Sequence, residues 1–300
     1  MNGASMAFMP PLANGNPPDW ASEWGQDEHG LFVGFTIAGV TQRMRWMAPG
    51  RFRMGSPADE PGRDDNEGPV HEVTISKGFW LFDTPCTQAL WRSVMGNNPS
   101  RFQSPDRPVE QVSWNEAQGF ITRINSMVPG LSLALPTEAQ WEYACRAGTD
   151  TALYTGPIDI DGDGKATALD PIAWYDGNSK GETHPVRVKA PNGWGLYDML
   201  GNVLEWCADG RRNYSSAPLV DPIGETDNGA NRSLRGGSWD YAARNARAAF
   251  RRWFHPDLRG GSIGFRCVQG QAGPAGGAER SLPQSPRLAE RRGAAGMTAP

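Results

Sequence analysis

The chain lacks most of the patterns that identify common catalytic and metal chemistry. It has only 4 cysteines in 300 residues, and they stand so far apart that no CxxC pair is present to bind zinc or exchange disulfides. It also has no GxSxG, HExxH or P-loop motif. No catalytic residue is therefore recognisable, although a generic acid–base pair within loops stays open. The separated thiols are predicted to be buried and free, as in a cytoplasmic protein: Cys86, Cys145, Cys207 and Cys267.

Long apolar runs and a strong charge bias are absent as well. The longest apolar stretch, LFVGFTIAGV, is typical of a strand and falls short of the roughly 18 residues that a membrane-spanning helix needs. The N-terminus has neither a basic region nor a continuous apolar region, so no secretory signal is recognised. The net charge of −4 gives no electrostatic reason to expect nucleic-acid or membrane binding. We expect a soluble cytoplasmic protein without nucleic-acid partners or membrane insertion.

What is abundant is tryptophan, with 12 residues, beside 37 glycines and 25 prolines. Large aromatic rings can build a core for a fold that has little regular secondary structure. Residues 1–30 are interpreted as a partly flexible N-terminal arm and residues 31–270 as one domain. Residues 271–300 contain small residues, proline and charges but almost no core formers, so they are predicted to be disordered.

Helix and strand signals concentrate in the first half of the domain. Alternating apolar residues predict strands within 30–40, 42–56 and 70–82. Helical spacing predicts helices within 86–96, 113–128 and 137–148. Ser113 and Thr137 are predicted N-caps, with Glu116 completing a capping box after Ser113. Little is periodic after Gly148, so we expect a mixed α+β fold with an irregular second half.

A cluster of acidic residues has the spacing of a calcium-binding EF-hand loop. Aspartates fall at loop positions 1, 3, 5 and 12, a glycine falls at position 6, and a lysine carbonyl is available at position 7. No clear helices flank the loop, and the alternative is a solvated acidic turn. The predicted calcium ligands are Asp159, Asp161, Asp163, Lys165 and Asp170.

Three motifs in order resemble the formylglycine-generating enzyme (sulfatase-modifying factor) family. They are LPTEAQWEYACRAG at 135–148, GLYDMLGNVLEW at 195–206, and the 234–267 segment, which begins LRGGSW and ends GFRC. The resemblance covers about residues 31–270. It implies an α+β, loop-rich, C-type-lectin-like fold with little regular secondary structure.

The chemistry best known in that family is not implied by this sequence. Its oxidases hold Cu(I) with two cysteines between the GGSW-like and GFRC-like signatures, and no cysteine occurs from Trp239 to Arg266. Copper is therefore not expected, and we assign no catalytic residues. The alternative function, oxidation of a cysteine in a sulfatase-type protein, is disfavoured. A related branch uses iron held by three histidines, but the 4 histidines here include no HxxxHxE-like helix.

The resemblance also implies a second, structural calcium site in GLYDMLGNVLEW. Its ligands would be the side chains of Asp198 and Glu205 and the carbonyls of Gly201 and Val203. The alternative is that Glu205 pairs with a nearby arginine.

Residues 239–266 resemble the variable segment of the target proteins of diversity-generating retroelements, which display ligand-contacting residues on this same fold. Within this segment, an apparent frame of scaffold residues is interrupted by positions that hold unlike residues, and we call these positions slots. The slots are rich in the aromatic, arginine and glycine residues that make contacts at interfaces. A protein or other macromolecular ligand is the expected partner. The predicted ligand-binding residues are Asp240, Tyr241, Ala242, Phe250, Arg252, Trp253, Phe254, His255, Leu258, Gly260, Gly261 and Ser262.

Two alternatives stay open within this segment. At least one of Phe250, Trp253 and Phe254 is expected in the core, and Trp253 departs from the variable pattern because codons ending in C cannot encode it. The frame arginines are expected to bind loop carbonyls and carboxylates as internal staples, with an anionic-ligand site as the alternative: Arg235, Arg244, Arg247, Arg251, Arg259 and Arg266.

Overall fold

A computed structural model describes residues 17–227 and 229–270 of the chain. Within them lie three α-helices, α1 (Gln88–Met95), α2 (Trp114–Met127) and α3 (Glu138–Arg146). The strands are β1 (Glu23–Asp27), β2 (Gly30–Ile37), β3 (Val40–Met47), β4 (Gly50–Met54), β5 (His71–Ile75), β6 (Phe79–Phe82), β7 (Leu133–Ala134), β8 (Leu204–Gly210), β9 (Leu219–Val220), β10 (Arg232–Arg235), β11 (Arg251–Phe254), β12 (Ile263–Gly264) and β13 (Val268–Gln269).

The largest sheet joins distant parts of the chain. Its order is β1-β2-β3-β6-β13-β7. Strand β13 enters it antiparallel to both neighbours, because Val268 pairs with Leu81 on one side and with Ala134 on the other. The C-terminal end of the domain is thus an interior strand of this sheet.

Helices α1 and α2 pack on the GFRC signature. The Phe265 ring lies 6.1 Å from Trp91 and 5.3 Å from Phe120, each in an edge-to-face arrangement, and Trp91 stacks on Phe120 at 5.4 Å. Phe265 is fully buried. This aromatic cluster forms the core beneath residues 239–266, as the tryptophan content suggested.

The helix boundaries follow from local signals. Ser113 Oγ accepts from the Glu116 amide at 3.2 Å, and the Glu116 carboxylate accepts from the Ser113 amide at 2.9 Å, which confirms the capping box. Thr137 caps α3 in the same way, with Gln140 as its partner. Helix α1 ends at Gly96, whose φ of 84° is the left-handed conformation that glycine adopts readily.

A second sheet has the order β11-β10-β8-β12, and a third has the order β4-β5-β9. Between α3 and β8, the described chain has no strand of a sheet and only one short 3-10 helix, Thr167–Leu169. This arrangement confirms the α+β, loop-rich fold predicted from the motifs.

Regular secondary structure is present before residue 31, the predicted start of the domain. Strand β1 lies inside the predicted N-terminal arm and pairs antiparallel with β2, from Glu23↔Gly34 to Asp27↔Gly30. Residues 1–16 of the predicted arm lie outside the described residues. The predicted disordered tail, 271–300, lies outside the described residues. Among those residues, no helix has the length and apolarity to cross a bilayer.

Candidate binding surface

Buried arginines of the final segment make ion pairs with acidic residues far away in the sequence. Arg247 donates to both carboxylate oxygens of Glu67, at 2.6 and 2.8 Å, and also pairs with Glu60. Arg251 Nε donates to Glu138 at 2.7 Å. Each of these side chains is buried, and each pair is hydrogen-bonded. The interpretation of these arginines as internal staples is confirmed.

Arg235 forms the centre of this network. It donates to the carbonyls of Ala248 and Ala249 and pairs with the Glu142 carboxylate. Burial alone would raise the pKa of Glu142, but Arg146 and Arg235 beside it hold that pKa below its usual value. The network therefore keeps Glu142 ionised at the base of the segment.

Two of the six arginines do not belong to this network. Arg244 is exposed. Arg259 lies at the surface and forms a bidentate pair with Glu116 at 2.8 and 2.9 Å. The staple interpretation therefore applies to Arg235, Arg247, Arg251 and Arg266.

The first predicted slots lie at the surface. Asp240 is exposed and accepts a 2.6 Å hydrogen bond from Ser238 Oγ, while Tyr241 and Ala242 are half-buried. The Tyr241 ring meets Phe250 edge-on at 5.9 Å. All three slots are therefore at least partly open to solvent.

Phe250 is not a surface residue, and its prediction as a ligand contact is wrong. Its side chain is fully buried, because it packs beneath Tyr241 and Arg252, whose guanidinium lies 4.8 Å from the ring centroid. The alternative, that at least one of the three aromatic slots is core, is thereby confirmed. Trp253 and Phe254 are half-buried.

Strand β11 separates its slots onto two faces. Successive side chains of a strand point to opposite sides, so Arg252 and Phe254 share one face and Trp253 lies on the other. Arg252 donates to Asp64 at 2.7 Å. Trp253 packs instead between Arg211 and Arg251, whose guanidiniums lie 5.4 and 4.7 Å from its ring centroid. Trp253 therefore does not share a face with the other β11 slots.

The loop after β11 brings the last slots beside the first. The indole of Trp239 donates to the Gly261 carbonyl at 2.9 Å, which ties the two ends of the segment together. His255 and Leu258 are exposed, and Gly260, Gly261 and Ser262 are half-buried. We use the name exposed slots for the slots that are exposed or half-buried and share this surface: Asp240, Tyr241, Ala242, Arg252, Phe254, His255, Leu258, Gly260, Gly261 and Ser262.

A buried carboxylate that sequence reasoning missed lies under this loop. Glu110 is fully buried, and its Oε1 accepts from the Phe102 amide at 2.8 Å, but its Oε2 has no hydrogen-bond partner among the described residues. A Cβ atom at position 261 would lie 3.6 Å from that Oε2. Burial raises the pKa of Glu110. Nothing in the sequence around Glu110 signals this proximity, because the loop lies about 150 residues away.

The predicted EF-hand-like loop does not bring its carboxylates together. Asp161 accepts from the amides of Asp163 and Lys165 at 3.0 and 2.9 Å, which makes a tight turn. Asp170 instead accepts from Asn178 at 3.1 Å. In the part of the chain that the structure describes, no three acidic, histidine or cysteine side chains are grouped for a metal ion. Calcium would have to draw Asp159, exposed at the surface, and Asp170 toward the turn.

In the second predicted calcium site, both carboxylates already accept hydrogen bonds from other groups of the protein. Asp198 accepts from the Arg187 amide at 2.9 Å and from Asn202 at 3.1 Å. Glu205 accepts from Arg266 and from the Trp141 indole, each at 2.7 Å. The Arg266 guanidinium already neutralises the Glu205 carboxylate, which calcium would otherwise neutralise. Glu205 is therefore unavailable as a calcium ligand in this arrangement. Gly201 and Val203 are buried beside it.

The four thiols are buried and free. Burial raises the pKa of each, for Cys145 to about 12 and for Cys86, Cys207 and Cys267 well above the ordinary thiol range. Thiolates, the form that attacks or binds soft metals, are therefore disfavoured at neutral pH.

Comparison with known proteins agrees with the motifs. The family model of the sulfatase-modifying factor enzyme 1-like domain matches residues 37–271. The formylglycine-generating enzyme of Thermomonospora curvata is 33% identical over 213 residues, which cover 67% of each chain. The inactive C-alpha-formylglycine-generating enzyme 2 of Bos taurus is 28% identical over 303 residues, 79% of this chain and 91% of that protein.

Among solved structures, Treponema denticola variable protein 1 superposes with a TM-score of 0.68 at 29% identity, covering 79% of this chain and 98% of that one. The chain spans about half to two thirds of the length of the formylglycine-generating enzymes that it matches. Both resemblances predicted from the motifs are confirmed.

Proposed function

The chain belongs to the sulfatase-modifying factor enzyme 1-like domain family, and from that premise we propose that it is a non-catalytic ligand-binding protein. Its binding surface would be the exposed slots. The observation that supports this most is the contrast within residues 239–266, where Arg247, Arg251 and Arg266 are buried in ion pairs and most slots reach solvent. Loops on a rigid scaffold are where binding residues can change without loss of the fold.

The similarity to known proteins supports the same proposal. The family includes a relative named inactive, so loss of the oxidase activity on this fold has a precedent. The solved structure of Treponema denticola variable protein 1 covers most of this chain. A protein or other macromolecule is the proposed partner, because the exposed slots spread over several loops rather than line one deep cavity.

The competing function is the formylglycine-generating oxidation of a cysteine in a sulfatase-type protein. The identity to enzymes of that name favours it. Against it stand the absence of cysteine from 239 to 266 and the raised pKa of the buried thiols. We therefore propose no copper cofactor.

We propose that calcium, if it binds, stabilises the acidic turn around Asp161 and does not bind at Glu205. Asp159, Asp161 and Asp163 are exposed there and lack arginine partners among the described residues. Glu205, in contrast, already holds Arg266. Calcium at the turn would need a local rearrangement that closes the carboxylates on the ion.

The display function is tested with two libraries on a cell surface. One library randomises the exposed slots, and the other randomises an equal number of buried frame positions in the same segment. We expect most members of the first library to fold, as detected by a conformation-sensitive antibody, and to yield binders to unrelated bait proteins. If the two libraries lose folding equally, or if the first yields no binders, the surface is not a display surface.

A further inference from the structure

We propose that the cavity behind strand β11 binds an oxyanion group. The cavity measures about 350 Å³ and is lined by Asn66, Arg211, Arg212, Tyr214, Arg251 and Trp253. Only Trp253 belongs to the predicted slots, and it lies on the opposite face of β11 from Arg252. The proposal therefore stands apart from the display function.

Unpaired polar atoms are concentrated around this cavity. Trp253 Nε1, Tyr214 Oη and Asn66 Oδ1 are all buried and have no hydrogen-bond partner among the described residues. Native structures leave few buried polar atoms unpaired. Each of the three atoms belongs to a residue that lines the cavity, so a ligand there would supply the missing partners once these side chains turn toward it.

The charge of the cavity decides which ligand fits. Arg211 has no ion pair within residues 17–227 and 229–270, and packs on Trp253 at 5.4 Å. Arg212 contacts Met54 Sδ at 3.3 Å and His71 Nε2 at 3.2 Å, neither of which is an anion. The third guanidinium, Arg251, is already neutralised by Glu138. Two cations thus remain without an anionic partner in the cavity that also holds the unpaired polar groups.

The donor set matches an acceptor-only ligand. The Trp253 indole only donates. The Tyr214 hydroxyl keeps its proton, because burial raises its pKa, so that proton is available to donate. A 180° rotation of the Asn66 side-chain amide exchanges the positions of its oxygen and nitrogen, so that Nδ2 takes the place of Oδ1 and can donate. Carboxylate, phosphate and sulfate accept several hydrogen bonds and carry the negative charge that guanidiniums bind best. A cationic ligand is disfavoured by the same arginines.

One acidic side chain lies at the rim of the cavity and does not cancel its positive charge. Asp65 lines the cavity, but its carboxylate is fully exposed and lies 3.7 Å from Arg63. His71 faces Arg212 through Nε2. Burial, and to a lesser extent Arg212, lowers the pKa of His71, so its ring is neutral and supplies no negative charge to either arginine.

The test uses the full chain and the indole N–H resonances of ¹⁵N-labelled protein, with Trp253 assigned from the variant Trp253→Phe. Sodium phosphate, sulfate and acetate are titrated at constant ionic strength against sodium chloride. We expect a saturable shift of the Trp253 resonance with at least one oxyanion and none with chloride. The anion that binds most tightly shows whether the site prefers phosphate or sulfate, or instead a carboxylate.

Variants then assign the effect to the cavity. Arg211→Gln, an exposed position outside the strands, should weaken binding of the best oxyanion about tenfold, the change expected for loss of one charge-assisted contact. Arg123→Gln, an exposed arginine of α2, is the matched control and should bind like the parent. A response that does not saturate, that chloride reproduces, or that Arg211→Gln leaves unchanged overturns the proposal. If Trp253→Phe does not fold, the affinity of Arg211→Gln, read by calorimetry, decides between the same outcomes.

Discussion

Arg266 and Glu205 form a bidentate pair in which both side chains are buried and both hydrogen bonds measure 2.7 Å. Arg266 Nη2 also donates to the Tyr197 and Asp198 carbonyls, at 2.9 and 3.2 Å. The pair therefore joins the GFRC signature to the GLYDMLGNVLEW motif. It also shows why Glu205 is unavailable to calcium in this structure.

We predict that Arg266→Ala strongly destabilises the fold. It leaves Glu205 buried without its cation, a loss that typically costs about 3–5 kcal/mol. Urea unfolding should show it as a lowered midpoint. Arg259→Ala removes a pair of similar geometry at the surface and should leave the midpoint nearly unchanged. Equal effects of the two substitutions would contradict the staple interpretation.

The exposed slots should tolerate truncation far better than the core. Phe265→Ala opens a cavity against Trp91 and Phe120 and should cost about 3–5 kcal/mol. His255→Ala, at a side chain 60% exposed, should cost less than about 1 kcal/mol. Thermal unfolding of both variants measures the contrast. Slot substitutions as damaging as Phe265→Ala would show that the segment is ordinary core.

We expect no aldehyde when the protein is incubated with Cu(I), oxygen and a CxPxR-type peptide. The reason is that no pair of accessible thiolates is available, since burial raises the pKa of all four thiols. The mass of the peptide gives the readout. The Thermomonospora curvata enzyme is the positive control. Clear turnover by this chain would establish the oxidase function instead.

Calcium should raise the thermal midpoint through the acidic turn, because a ligand of the native state stabilises it by mass action. The midpoint is compared in excess calcium and in excess chelator. Asp163→Asn should abolish the shift, whereas Asp59→Asn, another exposed aspartate, should preserve it. A midpoint that calcium does not move would remove calcium from the proposal.

Asp209 should make stability depend on pH between about 4 and 6. Burial, reinforced by Glu138, raises the pKa of Asp209 to about 6. The native state therefore holds this proton more tightly than the unfolded state, so its contribution to stability is full at low pH and is lost as the pH rises through 6. Relative to Asp209→Asn, the parent should lose stability over this window, by up to about 1.4 kcal/mol per pH unit. A pH-independent difference between the two proteins would contradict this.

The three helices could be predicted because their signals are local. Ser113 with Glu116 and Thr137 with Gln140 are separated by three residues, and the structure shows both caps. The short strands could not be predicted, because two residues carry no period. Strand β13 is defined only by its pairing with β6 and β7, more than 130 residues earlier in the chain.

The candidate site divides in the same way. The sequence identified Arg247 and Arg251 as staples but could not name their partners, since Glu67 is 180 residues and Glu138 is 113 residues away. The sequence pattern wrongly places Phe250 at the surface, because an aromatic residue that contacts a ligand and one that packs in the core cannot be told apart from the sequence alone. The cavity beside Trp253 gave no signal, because its lining comes from three separate segments.

The interior position of β13 has a consequence for biosynthesis. Among the described strands it is the last to leave the ribosome, yet it fills the gap between β6 and β7 in the largest sheet. Phe265, just before it, fills the core under α1 and α2. Strands β6 and β7 therefore cannot be joined into this sheet until Val268 and its neighbours have been synthesised. Such dependence on contacts distant in sequence slows folding and exposes unpaired strands to aggregation.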